Sequence, residues 1–275
     1  MNRISFILLL SIQSCYAFTI LPNQNTKSVT FNLQANTKPF FPTKQNENLE
    51  TILEDKTFIQ PNPSENNISD PDCISAASKM RRIIVPVPES VSASGEVGLS
   101  YVHWPAAAKE KKNVLPIILI HGFDSSALEY RRLGPQLAKL GVDVYAVDLL
   151  GWGYTQLDDG NNGIDYGADS KVQALSSFWK TVGGNKPVAV CGASLGGAAA
   201  IEYAAMGENP VNACVFLDAQ GFVDGTGPVV SMLPKPLAKL GINVLKSEWL
   251  RDSANQMSYF DKETFATKDA LNVGR

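Results

Sequence analysis

A serine between two glycines stands where an apolar strand pattern gives way to a helical one. Residues 192–197 read Gly-Ala-Ser-Leu-Gly-Gly. A serine on so sharp a strand-to-helix turn takes a strained backbone conformation, and the chain on either side passes so closely that only Gly192 and Gly196 fit. The spacing therefore predicts that Ser194 is a nucleophile whose hydroxyl is held out towards a substrate.

Two backbone N–H groups are predicted to form an oxyanion hole beside this serine. The start of the following helix places the Leu195 N–H next to the nucleophile, where the helix dipole favours negative charge. A second donor is expected from Phe123, in the loop that begins with His121 and Gly122 after the apolar run 115–120. The combination predicts acyl transfer through an acyl-serine intermediate.

From residue 80 onward, short β-branched runs alternate with helical patterns. This alternation is typical of an α/β fold with a mostly parallel sheet flanked by helices. The predicted strands are 83–85, 99–104, 115–120, 142–147, 188–191 and 211–217, and the predicted helices are 128–140, 170–182, 198–206, 248–259 and one with Asp261 as its N-cap. We assign residues 80–225 to the core domain and 226–275 to a helical cap region.

The first 79 residues are different in composition from the rest. A basic start, an apolar run over 4–12 and small residues up to Ala17 predict a signal peptide over 1–17, too short to span a membrane. Residues 18–46 begin with Phe18 and contain no acidic residue. They resemble the transit part of the two-part plastid presequences of algae with secondary plastids, and simple secretion is the alternative. Residues 47–79 are polar and interrupted by prolines, which predicts a linker.

Charge and composition exclude several classes of function. Lys and Arg number 24 against 27 Asp and Glu, so the chain has no basic excess for binding nucleic acid. Four cysteines are too sparse for a disulfide scaffold and lack the paired spacing of a zinc site. The stretch 151–153 reads Gly-Trp-Gly and lacks the third glycine of a dinucleotide fingerprint. We therefore expect no metal and no cofactor.

Three motifs together resemble the α/β-hydrolase superfamily, and among its members the plastid-type hydrolases of plants and algae. They are Ile-His-Gly-Phe at 120–123, Asp-Leu-Leu-Gly-Trp-Gly at 148–153 and the serine motif at 192–197. The resemblance implies an eight-stranded sheet, Ser194 as the nucleophile, Phe123 and Leu195 as the oxyanion donors, and supporting roles for His121, Gly122, Gly192 and Gly196. Dehalogenases and epoxide hydrolases of this fold have Asp at the position of Ser194, which disfavours those reactions.

The sequence departs from the family pattern in the catalytic base. The family order is Ser, then Asp or Glu, then a His after the last strand. Only His103 and His121 occur, both before the serine, and both are interpreted as structural. We interpret the chain as truncated within the cap, with the last strands missing. Asp218 is the candidate acid, and Asp148 and Asp224 have weaker claims.

Two functions follow from these observations. The first is a serine hydrolase that cleaves a carboxylic ester with an apolar acyl group, and the second is a non-catalytic binding protein for a small apolar ligand. Neither requires nucleic acid or a membrane span. Apolar residues of the cap would either line an acyl pocket or pack as core; they are Val229, Met232, Leu233, Trp249, Leu250 and Phe260.

Overall fold

The computed structural model describes residues 9–11, 53–107, 114–157, 163–207, 209–220, 247–258 and 260–268. Its strands are β1 (Leu9–Ser11), β2 (Met80–Pro86), β3 (Glu96–Trp104), β4 (Ile117–Ile120), β5 (Val144–Val147), β6 (Val188–Ala193) and β7 (Val211–Leu217). They form one sheet in the order β1-β7-β6-β4-β5-β3-β2. Strands β5, β4, β6 and β7 are parallel, and β2, β3 and β1 pair antiparallel.

The middle of the sheet is buried on both faces, which explains the continuous apolar runs of its strands. Ile118, Leu119 and Ile120 of β4 are all fully buried. Successive side chains of a strand point to opposite faces. Accordingly, Ile118 and Ile120 pack into one hydrophobic cluster and Leu119 into the other. The predicted α/β class with a mostly parallel sheet is confirmed.

Six helices lie in the described ranges. They are α1 (Pro71–Ala77), α2 (Leu133–Lys139), α3 (Ala168–Gly183), α4 (Leu195–Ala205), α5 (Glu248–Ser258) and α6 (Lys262–Phe265). The helix expected over 128–140 is divided into a 3-10 turn, Ala127–Tyr130, and α2. Ser126 caps that turn by accepting the Leu128 N–H, a local contact that a periodic pattern does not reveal. None of the helices in these ranges has the length and apolarity needed to cross a membrane.

Residues 53–79 pack against the domain, in contrast to the linker expected over 47–79. Asp70 caps α1 by accepting the Asp72 N–H at 2.9 Å, and its other carboxylate oxygen accepts from Arg131 Nε at 2.8 Å. The apolar side chains of this segment that join the core are few; they are Ile68, Cys73, Ala76 and Ala77. Cys73, Ala76 and Ala77 have helical spacing, but it extends over one short helix of small side chains, so the sequence shows no sustained apolar period.

Strand β1 lies in the segment expected to be a signal peptide. It pairs antiparallel with β7, with Leu9 opposite Val215 and Ser11 opposite Ala213. The rest of the expected signal and transit segments falls in 1–8 and 12–52, outside the described residues. Also outside them are the core-to-cap boundary at 225, the weaker acid candidate and three of the cap residues: Asp224, Val229, Met232 and Leu233.

Candidate active site

Ser194 lies on a strained turn between β6 and α4. Its φ of 49° and ψ of −115° fall in a region that residues with a side chain rarely adopt. Four backbone hydrogen bonds hold the turn: the Ser194 N–H donates to the Leu217 carbonyl at 3.1 Å, and the Ser194 carbonyl accepts three N–H groups, those of Gly197 at 3.0 Å, Ala198 at 3.4 Å and Gln220 at 2.8 Å. The side chain is exposed. The neighbouring strand β7 therefore helps to keep the hydroxyl accessible.

The two glycines of the motif stand at close backbone contacts. A methyl group on Gly192 would overlap the carbonyl group of Gly196. One on Gly196 would overlap the carbonyl oxygens of Ile120 and His121. Because Gly196 is in the first turn of α4, this contact brings the start of the helix against the end of β4. The helix start and the loop after β4 consequently lie side by side.

The loop after β4 passes next to the serine. A methyl group built on Gly122 would lie 3.5 Å from Ser194 Cβ, an ordinary van der Waals contact. The N–H groups of Phe123 and Leu195 donate to no acceptor within the described part of the chain. Both predicted oxyanion donors are thus unoccupied and lie on backbone segments that adjoin Ser194.

Glu129 is a site residue that the sequence analysis did not identify. Its Oε2 accepts the Gly122 N–H at 3.1 Å, so this N–H is engaged and the loop is anchored to the 3-10 turn Ala127–Tyr130. The negative charge of Glu129 also acts on a neighbouring thiol. Burial, together with this charge, raises the pKa of the Cys191 thiol to about 12. A single acidic residue in a helical pattern looks like an ordinary solvent-exposed residue. The sequence therefore does not indicate that Glu129 contacts the loop.

His121 is buried, and both of its ring nitrogens are engaged. The Leu149 N–H donates to Nε2 at 3.1 Å, which makes Nε2 the acceptor, and the Nδ1 proton then faces the Gly122 carbonyl at 2.8 Å. His103 is remote from the serine motif along the sheet, on β3, where its ring stacks on Tyr145 with centroids 4.3 Å apart. Neither histidine is placed to accept a proton from Ser194.

Asp148 joins three segments around the site. Its carboxylate accepts from Ser100 Oγ at 2.5 Å, the Ala127 N–H at 2.5 Å and the Tyr154 N–H at 3.0 Å. Complete burial raises the pKa of this carboxyl above its ordinary value, although the nearby His121 and these donors oppose the rise. With its oxygens engaged, Asp148 connects β3, the loop after β4 and the glycine-rich loop after β5.

Asp218, the candidate acid, follows β7 directly. It is exposed and has a φ of 50°. The same turn includes Gln220, which bonds the Ser194 carbonyl, so Asp218 lies at the same edge of the sheet as the serine. Its carboxylate has no hydrogen-bonded partner among the residues that the structure describes.

An aromatic pair joins the candidate oxyanion loop to the loop after β5. The rings of Phe123 and Trp152 meet edge to face with centroids 4.9 Å apart, and Phe123 is 58% exposed. In the cap, Trp249 is 75% exposed and Phe260 is fully exposed, whereas Leu250 is half-buried. The described ranges contain no cluster of His, Cys, Asp or Glu arranged to hold a metal ion.

The mixed sheet and the strained serine turn at the carboxyl ends of its parallel strands place the chain among α/β proteins, whose ligands bind at this edge of the sheet. The chain belongs to the alpha/beta hydrolase family, whose model matches residues 117–273, more than half of its length.

Three similar proteins illustrate the range of relatives. The chain is 34% identical over 209 residues to the alpha/beta hydrolase domain-containing protein VTE7 of Arabidopsis thaliana, covering 76% of this chain and 61% of that protein. It is 30% identical over 107 residues to Lipase 3 of Moraxella sp. (strain TA144), covering 39% of this chain and 32% of the lipase. The crystal structure of a putative lipase from Acinetobacter baumannii matches with a TM-score of 0.52 at 17% identity, covering 80% of this chain and 67% of that one, and supports the fold alone.

Proposed function

We propose that this protein is a serine hydrolase that cleaves a carboxylic ester through an acyl-enzyme on Ser194. The observation that carries the proposal is the exposed serine at a φ of 49°, beside two N–H groups without an acceptor in the described chain. Strain of this kind is characteristic of functional sites. Similarity to lipases is consistent with an ester substrate.

The proposed reaction has two acyl transfers. Ser194 Oγ attacks the ester carbonyl carbon and gives its proton to a general base, while the carbonyl oxygen becomes an oxyanion held by the N–H groups of Phe123 and Leu195. The bond to the alkoxy oxygen then breaks, and the alcohol leaves with the proton from the base. Water attacks the acyl-serine by the same route and releases the carboxylic acid.

The general base is proposed to lie outside the 275 residues. The two histidines of the sequence have other roles, since His121 is engaged at both nitrogens and His103 stacks on Tyr145 on β3. Asp218 is the proposed acid, on the ground that it shares a turn with the residue that bonds the Ser194 carbonyl. Without the base, the rate is expected to be lower by a factor on the order of 10⁴.

The proposed substrate is a small-molecule ester with an apolar acyl group. The support for this is the exposed Phe123 ring, which packs on Trp152 and belongs to the residue that carries the proposed oxyanion N–H. Aromatic surfaces of this kind favour apolar groups.

The experiment is covalent labelling with a fluorophosphonate probe, using protein from the complete open reading frame. We expect one adduct, on Ser194, and no adduct on Ser194→Ala. Cys191→Ala is the matched control, because it removes a buried nucleophilic atom from the same strand and should leave labelling intact. A wild type that stays unlabelled, or a Ser194→Ala variant that retains turnover, would overturn the proposal.

A second candidate function is a non-catalytic binding protein for a small apolar ligand. It is favoured by the absence of any hydrogen bond to Ser194 Oγ from the side chains described. Saturable binding of an apolar fluorescent dye, unchanged by Ser194→Ala and accompanied by no probe adduct, would support this alternative over the hydrolase.

A further inference from the structure

An ion pair ties α5 to the loop that contains Phe123. Arg251 Nη2 lies 2.7 Å from each carboxylate oxygen of Asp124. The two residues are 127 positions apart, and Asp124 directly follows Phe123. The Arg251 and Asp124 side chains are only 14% and 28% exposed, so solvent screens this pair less than the surface ion pairs that contribute little.

The backbone of Asp124 is strained at this contact. Its φ is 54°, in the left-handed region, which Asp adopts more readily than most residues with a side chain but still at a cost. Such a conformation persists only where the surroundings hold it. The bond from Arg251 is a holding contact of this kind, because a fixed carboxylate restricts rotation of the backbone that bears it.

Phe123 is consequently flanked by two anchored neighbours. On one side the Gly122 N–H is bonded to Glu129, an exposed residue of the 3-10 turn Ala127–Tyr130, whose other side chains are buried. On the other side Asp124 is bonded to Arg251, which belongs to α5. Rotation of the peptide groups on either side of Phe123 is therefore restricted unless the Gly122–Glu129 bond or the Asp124–Arg251 bond breaks.

Helix α5 has few other attachments to the described core. No strand or other helix within the described ranges packs extensively along it. Trp249 and Met257 are 75% and 80% exposed. The Nε and Nη1 atoms of Arg251 are buried without a hydrogen-bond partner, so Asp124 is the principal polar contact that fixes this guanidinium in the described structure.

We propose that Arg251 is a positioning residue for the oxyanion hole, acting through Asp124 to hold the Phe123 N–H in its working orientation. This inference rests on the proposed hydrolase function. The site is then fully formed only when α5 is docked. Because an oxyanion develops only in the transition state, release of the anchor lowers kcat and leaves KM largely unchanged.

The experiment measures p-nitrophenyl butyrate hydrolysis and the rate of fluorophosphonate labelling in protein from the complete open reading frame. The variants are Asp124→Ala, which removes the acceptor, Arg251→Met, the double variant and Arg251→Lys, which keeps the charge. Glu248→Gln is the control, because it removes an exposed charge from the same helix. Hydrogen exchange of residues 121–126 reports on the anchoring independently of activity.

The expected result is a loss of about tenfold in kcat and labelling rate for each single variant, less than the roughly 100-fold or greater loss when an oxyanion donor is removed. The double variant should be no slower than the slower single variant, since both remove one contact. Arg251→Lys should retain more activity than Arg251→Met, Glu248→Gln should match the wild type, and residues 121–126 should exchange faster in Arg251→Met.

Several results would overturn the inference. They are single variants as fast as the wild type, losses that multiply in the double variant, a rise in KM alone, or unchanged exchange in Arg251→Met. These outcomes leave the proposed function standing if the wild type is labelled on Ser194. An unlabelled wild type overturns the proposed function itself, and the positioning role of Arg251 with it.

Discussion

At the scale of the residue, three carboxylates shape the surroundings of Ser194 without touching its hydroxyl in the described structure. Glu129 anchors Gly122, Asp124 is held by α5, and Asp148 joins three segments beneath the loop. Each acts by accepting hydrogen bonds, so amide variants separate the effect of the acceptor from that of the charge.

Glu129→Gln and Glu129→Ala should therefore differ in their effect on labelling of Ser194. Glutamine retains a carbonyl oxygen for the Gly122 N–H and should label at close to the wild-type rate. Alanine releases the loop and should slow labelling about tenfold, below the loss of an oxyanion donor outright. Equal losses in both variants, measured by the time course of probe incorporation, would show that the charge matters and the hydrogen bond does not.

Asp148→Asn should destabilise the fold in a way that depends on pH. The amide offers a single acceptor oxygen to three donors, and we expect a loss of about 2 kcal/mol in the free energy of unfolding near pH 5. Burial raises the pKa of Asp148 in the folded state above its ordinary 3.8, so the wild type loses stability as the pH rises through that raised value. In urea titrations, the difference in the free energy of unfolding between the wild type and Asp148→Asn should become smaller as the pH rises. A difference that widens would contradict the direction of this pKa shift.

The sequence was informative where a function requires particular residues at short spacing. The glycines around Ser194 follow from backbone overlap within five residues, and their close contacts agree with that reasoning. Glu129 and the pair of Asp124 with Arg251 left no such signal. Their importance arises from contacts that only the folded chain brings together, over 127 positions in the case of the ion pair.

At the scale of the element, α1 shows how a short helix docks through polar contacts. Asp70 caps the helix and also meets Arg131 and Arg132, at 2.8 and 3.0 Å. Periodicity predicts long apolar elements such as α3 and the central strands well, because their burial dictates the pattern. The seven residues of α1 bury only three small side chains, which is too short a pattern to predict a helix from the sequence.

Asp70→Ala should loosen residues 53–79 and lower the free energy of unfolding by about 2 kcal/mol, since it removes a cap and two charge-assisted bonds. Burial alone would raise the pKa of Asp70, but the bonds from Arg131 and Asp72 and the charge of Arg132 lower it below 3.8. Its stabilising effect is therefore present above that value and declines as the pH falls below it. Thermal unfolding between pH 3 and 7 tests this, with Asp72→Ala, an exposed neighbour, as the control. The predicted pH dependence would be contradicted if the destabilisation caused by Asp70→Ala became larger towards pH 3.

At the scale of the whole molecule, two roles compete for the N-terminal segment: a presequence that is removed, and an edge strand of the sheet. It is proposed as a signal peptide over 1–17 and a plastid transit segment over 18–46, yet β1 within it pairs with β7. Removal of the segment would leave β7 as the edge of the sheet, with unpaired N–H and C=O groups.

If residues 1–46 are a plastid presequence, their fusion to a fluorescent protein should reach the plastid of an alga with a secondary plastid. Phe18→Ala should reduce that import. Fluorescence microscopy and the mass of the processed fusion test both points. Fluorescence found only in the medium would favour simple secretion, and an unprocessed N-terminus would contradict the signal peptide.

The left-handed backbone at Ser194 has a consequence for how this fold can change. Glycine would relieve the strain there, because it adopts positive φ without a Cβ clash. Stability alone therefore favours glycine over serine at position 194. A chain that retains serine at this bend has a less stable fold than it could have, and a chemical role for the hydroxyl would explain why the serine is kept.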